Sequence, residues 1–295
     1  MIYSFIIVNY NTKRITADCI QSLIDNKHLK YIEHEIIVVD NASKDGSQEF
    51  IEANFPQVML IKNKENLGFG KANNIGSKAA NGKYLIFINS DTIAYETDFY
   101  SLLDISEANS QMGFLSCKIL NEDGSIQSIG YNFPSLMNEI KLRLLLWNFK
   151  FIKKIRLNNY DDKGIFEVDW LSGSFMICDK SLFELLGGFD KDIFMYSEDL
   201  DICYRAYSAG KINLIYDRTS IYHLHGKSGN KKNPSFKQLI NRKENYFYVI
   251  KKNRIVKFMF LIKTLTYINV IIVYIGKRIL TIVKTLQNNS ETTGS

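Results

Sequence analysis

The chain has 295 residues, 46% apolar and 23% charged, enough for one large domain or two small ones and ordinary for a globular protein. Its net charge of +6 is uneven: residues 227–290 hold 14 Lys and Arg against one acid, Glu244, which leaves the first 226 residues at −6 once Glu291 is counted. An acidic body with a basic tail suggests an anionic surface as partner, and four well-separated cysteines without a C-x-x-C argue for reduced thiols in a cytoplasmic setting rather than a disulfide framework or zinc site.

Residues 2–8 form a short apolar run ending in Asn9, and Thr12 is placed to cap a helix through residue 24. The opening M-I-Y-S-F-I-I-V-N has no basic leader and is too short a run for a signal peptide. Residues 35–39, E-I-I-V-V, read as a second strand ending in Asp40. The loop N-A-S-K-D-G-S follows, and Ser47 can cap a helix through residue 54. Residues 58–61 read as a third strand. The loop K-E-N-L-G-F-G-K-A-N-N-I-G then enters a helix over 71–80. It lacks the G-x-G-x-x-G spacing of a dinucleotide fingerprint, and Gly68 and Gly70 could supply turn dihedrals alone. Residues 84–88, Y-L-I-F-I, have no polar break, as suits a strand covered on both faces, and change abruptly to Asn89-Ser90-Asp91-Thr92.

Strand, helix, strand, helix at this spacing predicts βαβ units and a mostly parallel α/β sheet. Asn9, Asp40, Asn89 and Asp91 then lie at carboxyl ends of strands, where open α/β sheets bind ligands, and their convergence reads as a nucleotide pocket. Local chemistry offers alternatives: a turn for Asn9, an Asx-turn for Asp40, and the N-cap of a helix over 99–108 for Asp91 or Thr92.

Residues 113–120 read as a strand, N-E-D-G-S at 121–125 as a turn and 126–131 as the return strand of a hairpin. Residues 134–159 set Lys and Arg among Leu, Trp147 and Phe. They read either as an amphipathic helix packed on the body or as a basic aromatic surface facing headgroups or an anionic acceptor. In L-S-G-S-F-M-I-C-D, Gly173 admits close backbone approach and 175–178 form a buried strand. A short helix over 181–186 stops at Gly187-Gly188.

Ser197-Glu198-Asp199-Leu200-Asp201 opens a helix with Ser197 as N-cap. Acids in its first turn suit the helix dipole, which accounts for Glu198, and Asp201 pairs with Arg205 one turn on. Asp199 is needed for neither purpose and can project into a cleft as a general base that the dipole keeps ionised. Strands over 212–216 and 220–222 precede H-L-H-G-K-S, in which His223 and His225 read as structural histidines or as metal ligands. From 236 the chain reads as helical. Residues 258–275 are apolar and long, but Lys263, Thr264, Thr266 and Asn269 argue against a clean span. Helices lying in a membrane interface are expected, with oligomerisation or packing on the body as the alternative.

The segments I-I-V-N-Y-N, V-V-D-N-A-S-K-D-G-S, N-L-G-F-G-K-A-N-N-I-G, F-I-N-S-D, S-G-S-F-M-I, G-G-F-D, F-M-Y-S-E-D-L-D-I-C-Y-R and H-L-H-G-K-S span residues 4–228 in order. Together they resemble the inverting family 2 glycosyltransferases of the GT-A fold, a Rossmann-like nucleotide-diphospho-sugar transferase sheet. The likeness is greatest to the bacterial rhamnosyltransferase-like branch that builds surface polysaccharides.

The resemblance implies a catalytic domain over 1–228 and a basic, apolar helical extension over 229–295 at the membrane surface. It places Asn9 and Asp40 at the nucleobase and ribose. It has Asn66, Gly68 and Phe69 shape the nucleotide site, with Gly173 and Glu198 also on the substrate side. Asn89-Ser90-Asp91 stands where the family carries a D-x-D-like metal motif: Asp91 would hold Mg²⁺ or Mn²⁺ and Asn89 would contact ribose or water. Asp199 would be the catalytic base, and His223, the histidine of H-x-x-G-x-S, would reach the metal. Asn89 in place of Asp removes one charge from that site.

The implied donor is a nucleoside-diphosphate sugar, dTDP-L-rhamnose before a UDP-hexose. The implied acceptor is a polyprenyl-diphosphate-linked saccharide at the inner face of the cell membrane, with no nucleic acid involved. A rival from another class is a non-catalytic membrane- or polyanion-binding protein led by the basic tail, which would need neither Asp91 nor Asp199. A nucleotidyltransferase would need a Gly- and Lys-rich loop where this chain has N-Y-N-T-K-R.

Overall fold

β1 (Tyr3–Asn9), buried on both faces, sets the architecture: Tyr3, Phe5 and Ile7 enter one core and Ile6 the other. The computed structural model describes residues 2–128, 130–135, 162–224, 236–256, 260, 262–268, 270 and 271. After β1 come α1 (Lys13–Ile24), β2 (His34–Asp40), α2 (Ser47–Asn54), β3 (Met59–Lys62), α3 (Phe69–Ala79), β4 (Tyr84–Asn89), β5 (Thr92–Ile93) and α4 (Phe99–Ala108). The second half contributes β6 (Met112–Leu120), β7 (Ile126–Ser128), β8 (Ile165–Val168), β9 (Phe175–Asp179), α5 (Lys180–Leu185), α6 (Glu198–Ser208), β10 (Ile212–His223) and α7 (Phe236–Lys252).

The strands form one sheet in the order β3-β2-β1-β4-β9-β6-β10-β5, with β7 beside β6 and β8 beside β10. β3, β2, β1 and β4 are parallel, with Asn9 opposite Asp40 and Val8 opposite Asn89. β9 is antiparallel between β4 and β6, and β6 and β10 are parallel to each other. The carboxyl ends of β1, β2, β4 and β10 therefore share an edge with the start of β9, which brings Asn9, Asp40, Asn89, His223 and the Gly173 segment to one side.

Both faces are covered, as the unbroken apolar run of β4 predicts. Tyr84, Ile86 and Ile88 pack with Cys19, Ile20 and Leu23 of α1, Ile51 of α2, and Phe99 and Leu102 of α4. Leu85 and Phe87 pack on the opposite face with Ala72 of α3, Phe183 of α5, and Ile202, Cys203 and Ala206 of α6. Burial of each such aliphatic or aromatic side chain stabilises the fold by roughly 1.5–3 kcal/mol. All four cysteines are buried and unpaired with one another.

Some local expectations change. The two strands foreseen over 212–216 and 220–222 are one strand, β10, with a register shift between Tyr216 and Ser220 that accommodates the polar residues between them. Asp91 and Thr92 cap no helix: α4 begins at Phe99, where Asp98 accepts from the Ser101 N–H. Gly46, not Ser47, is the N-cap of α2.

The described chain divides into two compact units, Met1–Phe133 with Ile155–Lys232, and Pro134–Lys154 with Asn233–Ser295. The first carries the entire sheet. Within the second, Phe247, Ile250, Val256 and Ile262 form a small core, and Glu244 accepts from Lys263 at 2.9 Å and from the Tyr267 hydroxyl. Among the described residues no helix is long and apolar enough to cross a membrane. Residues 136–161, His225 and part of 258–275, for which the sequence raised expectations, lie outside the described residues.

Candidate active site

Three groups of polar side chains meet the carboxyl edge of the sheet. The first joins the ends of β1 and β2. Asn9 and Asp40 are fully buried, and Asn9 Nδ2 donates to Asp40 Oδ2 at 2.5 Å and to Ser43 Oγ at 3.1 Å. Asn9 Oδ1 accepts from Thr12 at 2.6 Å and Thr16 at 2.7 Å. Asp40 Oδ1 takes the Ser43 N–H at 2.9 Å and Gln48 Nε2 at 2.6 Å. The Asx-type turn is thus present at Asp40. Thr12 sits at the N-cap of α1 without a capping bond because its hydroxyl serves Asn9 instead. These contacts pin residues 41–46 against the first helix, and sequence reading did not single out Thr12, Thr16, Ser43 or Gln48 for that task.

The second group stands at the end of β4. Asp91 is buried, and its Oδ1 lies 3.1 Å from His223 Nε2, while Asn89 Nδ2 lies 3.3 Å from the same nitrogen. His223 arrives from β10, 134 residues after Asn89, so only the sheet topology joins them. His223 Nδ1 contacts Gln127 Oε1 of β7 at 2.7 Å, a residue the sequence did not flag. Thr12 Oγ1 reaches Ser90 Oγ at 3.4 Å and links this group to the first. A carboxylate oxygen and an imidazole nitrogen 3.1 Å apart suit a divalent cation that takes its remaining ligands from substrate oxygens and water. Among the described residues no group of three or more His, Cys, Asp or Glu could hold an ion unaided.

The third group surrounds Asp199. Gly68 has φ +82°, and a Cβ there would lie 2.3 Å from the Phe194 carbonyl, so only glycine fits. The Phe69 N–H donates to that carbonyl at 2.9 Å, Asn66 Oδ1 accepts the Gly68 N–H at 3.0 Å, and Asn41 Nδ2 donates to the Gly68 carbonyl at 3.2 Å. The glycine loop is thereby tied to the segment that delivers Asp199. That segment turns through left-handed Tyr196 (φ 71°) and Ser197 (φ 74°), two consecutive strained non-glycine residues. Ser197 occupies the N-cap position but makes no side-chain cap, contrary to the sequence expectation, because its left-handed backbone turns the chain into α6.

Asp199 Oδ2 accepts the Gly173 N–H at 3.0 Å and Oδ1 accepts the Leu200 N–H at 2.8 Å. A Cβ on Gly173 would meet the Asp199 Cβ at 3.5 Å, an ordinary contact, so its contribution is the N–H rather than close approach. Burial raises the Asp199 carboxyl above the usual aspartate range, against the two backbone donors. The sequence expectation named the helix dipole alone; desolvation is the larger influence on this carboxyl. Its neighbour Glu198 is buried, Oε2 has no hydrogen-bond partner among the described residues, and burial followed by the Asp199 charge pushes its pKa up to about 8. Asp201 pairs with Arg205 at 2.8 Å as its spacing predicts.

Comparison with known proteins follows the same outline. A family model described as glycosyl transferase family 2 matches residues 4–182. An N-acetylglucosaminyl-diphospho-decaprenol L-rhamnosyltransferase of Mycobacterium tuberculosis is 26% identical over 232 residues, covering 72% of this chain and 74% of that protein. The rhamnosyltransferase WbbL of Escherichia coli K12 is 28% identical over 221 residues, 70% of this chain and 80% of its own. Among solved structures, GalNAc-T7 with UDP, GalNAc and Mn²⁺ superposes with TM-score 0.62 at 18% identity, over 85% of this chain and 48% of that one. Staphylococcus aureus TarS superposes with TM-score 0.58 at 18% identity, over 86% of this chain and 39% of that one. These likenesses establish the GT-A fold that the sequence motifs implied.

Proposed function

The chain belongs to glycosyl transferase family 2, and from that membership we propose that it transfers a sugar, with inversion, from a nucleoside-diphosphate donor to a polyprenyl-diphosphate-linked or growing surface-polysaccharide acceptor. The observation that carries the reading is the single edge shared by Asp91, His223 and Asp199. dTDP-L-rhamnose is the first-choice donor, in line with the rhamnosyltransferase relatives from two organisms. A decaprenyl-diphosphate saccharide acceptor in one of them supports a lipid-linked acceptor here.

Asp199 removes the proton from the acceptor hydroxyl as that oxygen forms its bond to the anomeric carbon from the face opposite the diphosphate. The bond from that carbon to the phosphate oxygen breaks, and the electron pair leaves with the nucleoside diphosphate. A carboxyl above the ordinary aspartate range is a stronger base, and such assistance is worth about 10²–10⁴-fold. The Gly173 and Leu200 N–H groups fix the carboxylate plane, and Gly68 and Phe69 hold the segment behind it.

Asp91 and His223 would hold a bound Mg²⁺ or Mn²⁺, with Asn89 beside them. When bound, the ion would offset charge on the departing diphosphate. Asn9 and Asp40, already engaged with each other and the 41–46 loop, would act by holding the nucleoside end of the pocket in shape. The basic 229–295 segment would bring the catalytic body to the anionic inner face of the membrane, where a lipid-linked acceptor resides.

A donor panel tests the reading. Nucleoside-diphosphate release from dTDP-L-rhamnose, UDP-glucose, UDP-N-acetylglucosamine and GDP-mannose is followed with lipid-linked acceptor and Mn²⁺. Turnover confined to dTDP-L-rhamnose is expected. Turnover of a UDP-sugar alone would replace the donor, and no turnover or donor binding would contradict the enzyme.

A further inference from the structure

Gln127 lies in the short strand β7 and takes no part in the chemistry above, yet its amide faces the imidazole of His223. We propose that Gln127 is a positioning residue that sets the tautomer of His223 and so presents the bare Nε2 to Asp91. The inference begins at the turn before β7. Asp123 is ionised, its carboxyl held below the usual range chiefly by the Ser125 hydroxyl, and a carboxylate only accepts. Ser125 Oγ donates to Asp123 Oδ1 at 2.6 Å, so the same oxygen accepts Asn121 Nδ2 at 2.9 Å. Asn121 must then turn its Oδ1 to Gln127, whose Nε2 donates to it at 2.8 Å. Gln127 Nε2 also donates to the His223 carbonyl at 3.4 Å.

With its NH₂ group committed to two acceptors, Gln127 meets the imidazole through Oε1, 2.7 Å from Nδ1. An amide oxygen cannot donate, so Nδ1 carries the proton. In neutral imidazole this leaves the lone pair on Nε2, the atom 3.1 Å from Asp91 Oδ1. A chain of hydrogen bonds from an exposed turn thus fixes which nitrogen carries the proton of the neutral ring. This is the arrangement by which outer-sphere partners orient metal-binding histidines, and loss of such a partner weakens metal affinity by about 10–100-fold. The link to metal rests on the proposed role of Asp91 and His223, while the tautomer does not.

The test uses the metal-free protein labelled with ¹⁵N-histidine. The chain has four histidines, and the His223 signals are identified by their loss in His223→Asn. The wild type is expected to show His223 protonated on Nδ1. Gln127→Leu should lose that preference, and Gln127→Glu, whose carboxylate also accepts from Nδ1, should keep it. Electron paramagnetic resonance of MnCl₂ titrated in the presence of dTDP should then show Mn²⁺ affinity lowered about 10–100-fold in Gln127→Leu and retained in Gln127→Glu. A neutral His223 with its proton on Nε2 in the wild type, or an unchanged tautomer and Mn²⁺ affinity in Gln127→Leu, would overturn the assignment. A wild type that shows the Nδ1 proton yet binds no Mn²⁺ supports the positioning by Gln127 and contradicts the metal reading alone.

Discussion

The Gly173 N–H points at Asp199 Oδ2, 3.0 Å away, across 26 residues of sequence. This bond joins the start of the antiparallel strand β9 to the first turn of α6. With Leu200 N–H on the other oxygen, it holds the carboxylate in one orientation while burial keeps it basic. The site is therefore built from strand ends and one helix start rather than from a single loop.

Gly68→Ala tests the support behind that carboxylate. The added Cβ would meet the Phe194 carbonyl at 2.3 Å and adopt a left-handed backbone, so the segment leading to Glu198 and Asp199 must move. Turnover should fall by about 10²-fold while the far-ultraviolet circular dichroism stays as in the wild type. Wild-type kinetics in Gly68→Ala would show that the glycine only makes a turn.

Asn9→Ala tests the network at β1 and β2. The substitution takes a donor from the buried Asp40 Oδ2 and an acceptor from the Thr12 and Thr16 hydroxyls, at a cost of about 1–3 kcal/mol. Urea unfolding should show the midpoint lowered with an unchanged slope. An unaltered midpoint would mean that water satisfies these groups.

Glu198 predicts a pH dependence of stability. Its folded pKa, about 8, lies above that of an unfolded glutamate, so the folded state binds more protons between those values. Its contribution to stability is full below the unfolded pKa and is lost as pH rises through about 8. Glu198→Gln has no such loss. Its unfolding free energy relative to wild type, measured by urea titration, should rise from pH 5 to pH 9, a change on the order of 1 kcal/mol or more. A constant difference across that range would contradict the raised pKa.

Asp91→Asn and chelation address the proposed ion. Both should reduce turnover by at least about 10²-fold, and added Mn²⁺ should restore the chelated wild type but not Asp91→Asn. Full activity in excess EDTA would remove the metal from the account.

Much of this was legible in the sequence because it is local. The unbroken run from Tyr84 to Ile88 and its abrupt end at Asn89 signal a covered strand with polar groups at its edge, and β4 is that strand. The Asp201–Arg205 pair follows from helical spacing alone. What was not legible depends on distant neighbours. Nothing near Phe175 distinguishes an antiparallel strand from a parallel one; β4 and β6 on either side decide it. The dipole argument for Asp199 was local, while its desolvation comes from tertiary packing. Gln127 had no signal of its own, since its meaning appears only when β10 brings His223 beside β7's neighbour.

The central claim is that Asp199 is the base in sugar transfer. The most direct measurement compares wild type and Asp199→Asn in single-turnover transfer from the preferred nucleotide sugar to a lipid-linked acceptor, with donor affinity measured alongside. The account predicts that Asp199→Asn binds donor about as the wild type does and transfers about 10²–10⁴-fold more slowly. Transfer at the wild-type rate in Asp199→Asn would contradict it.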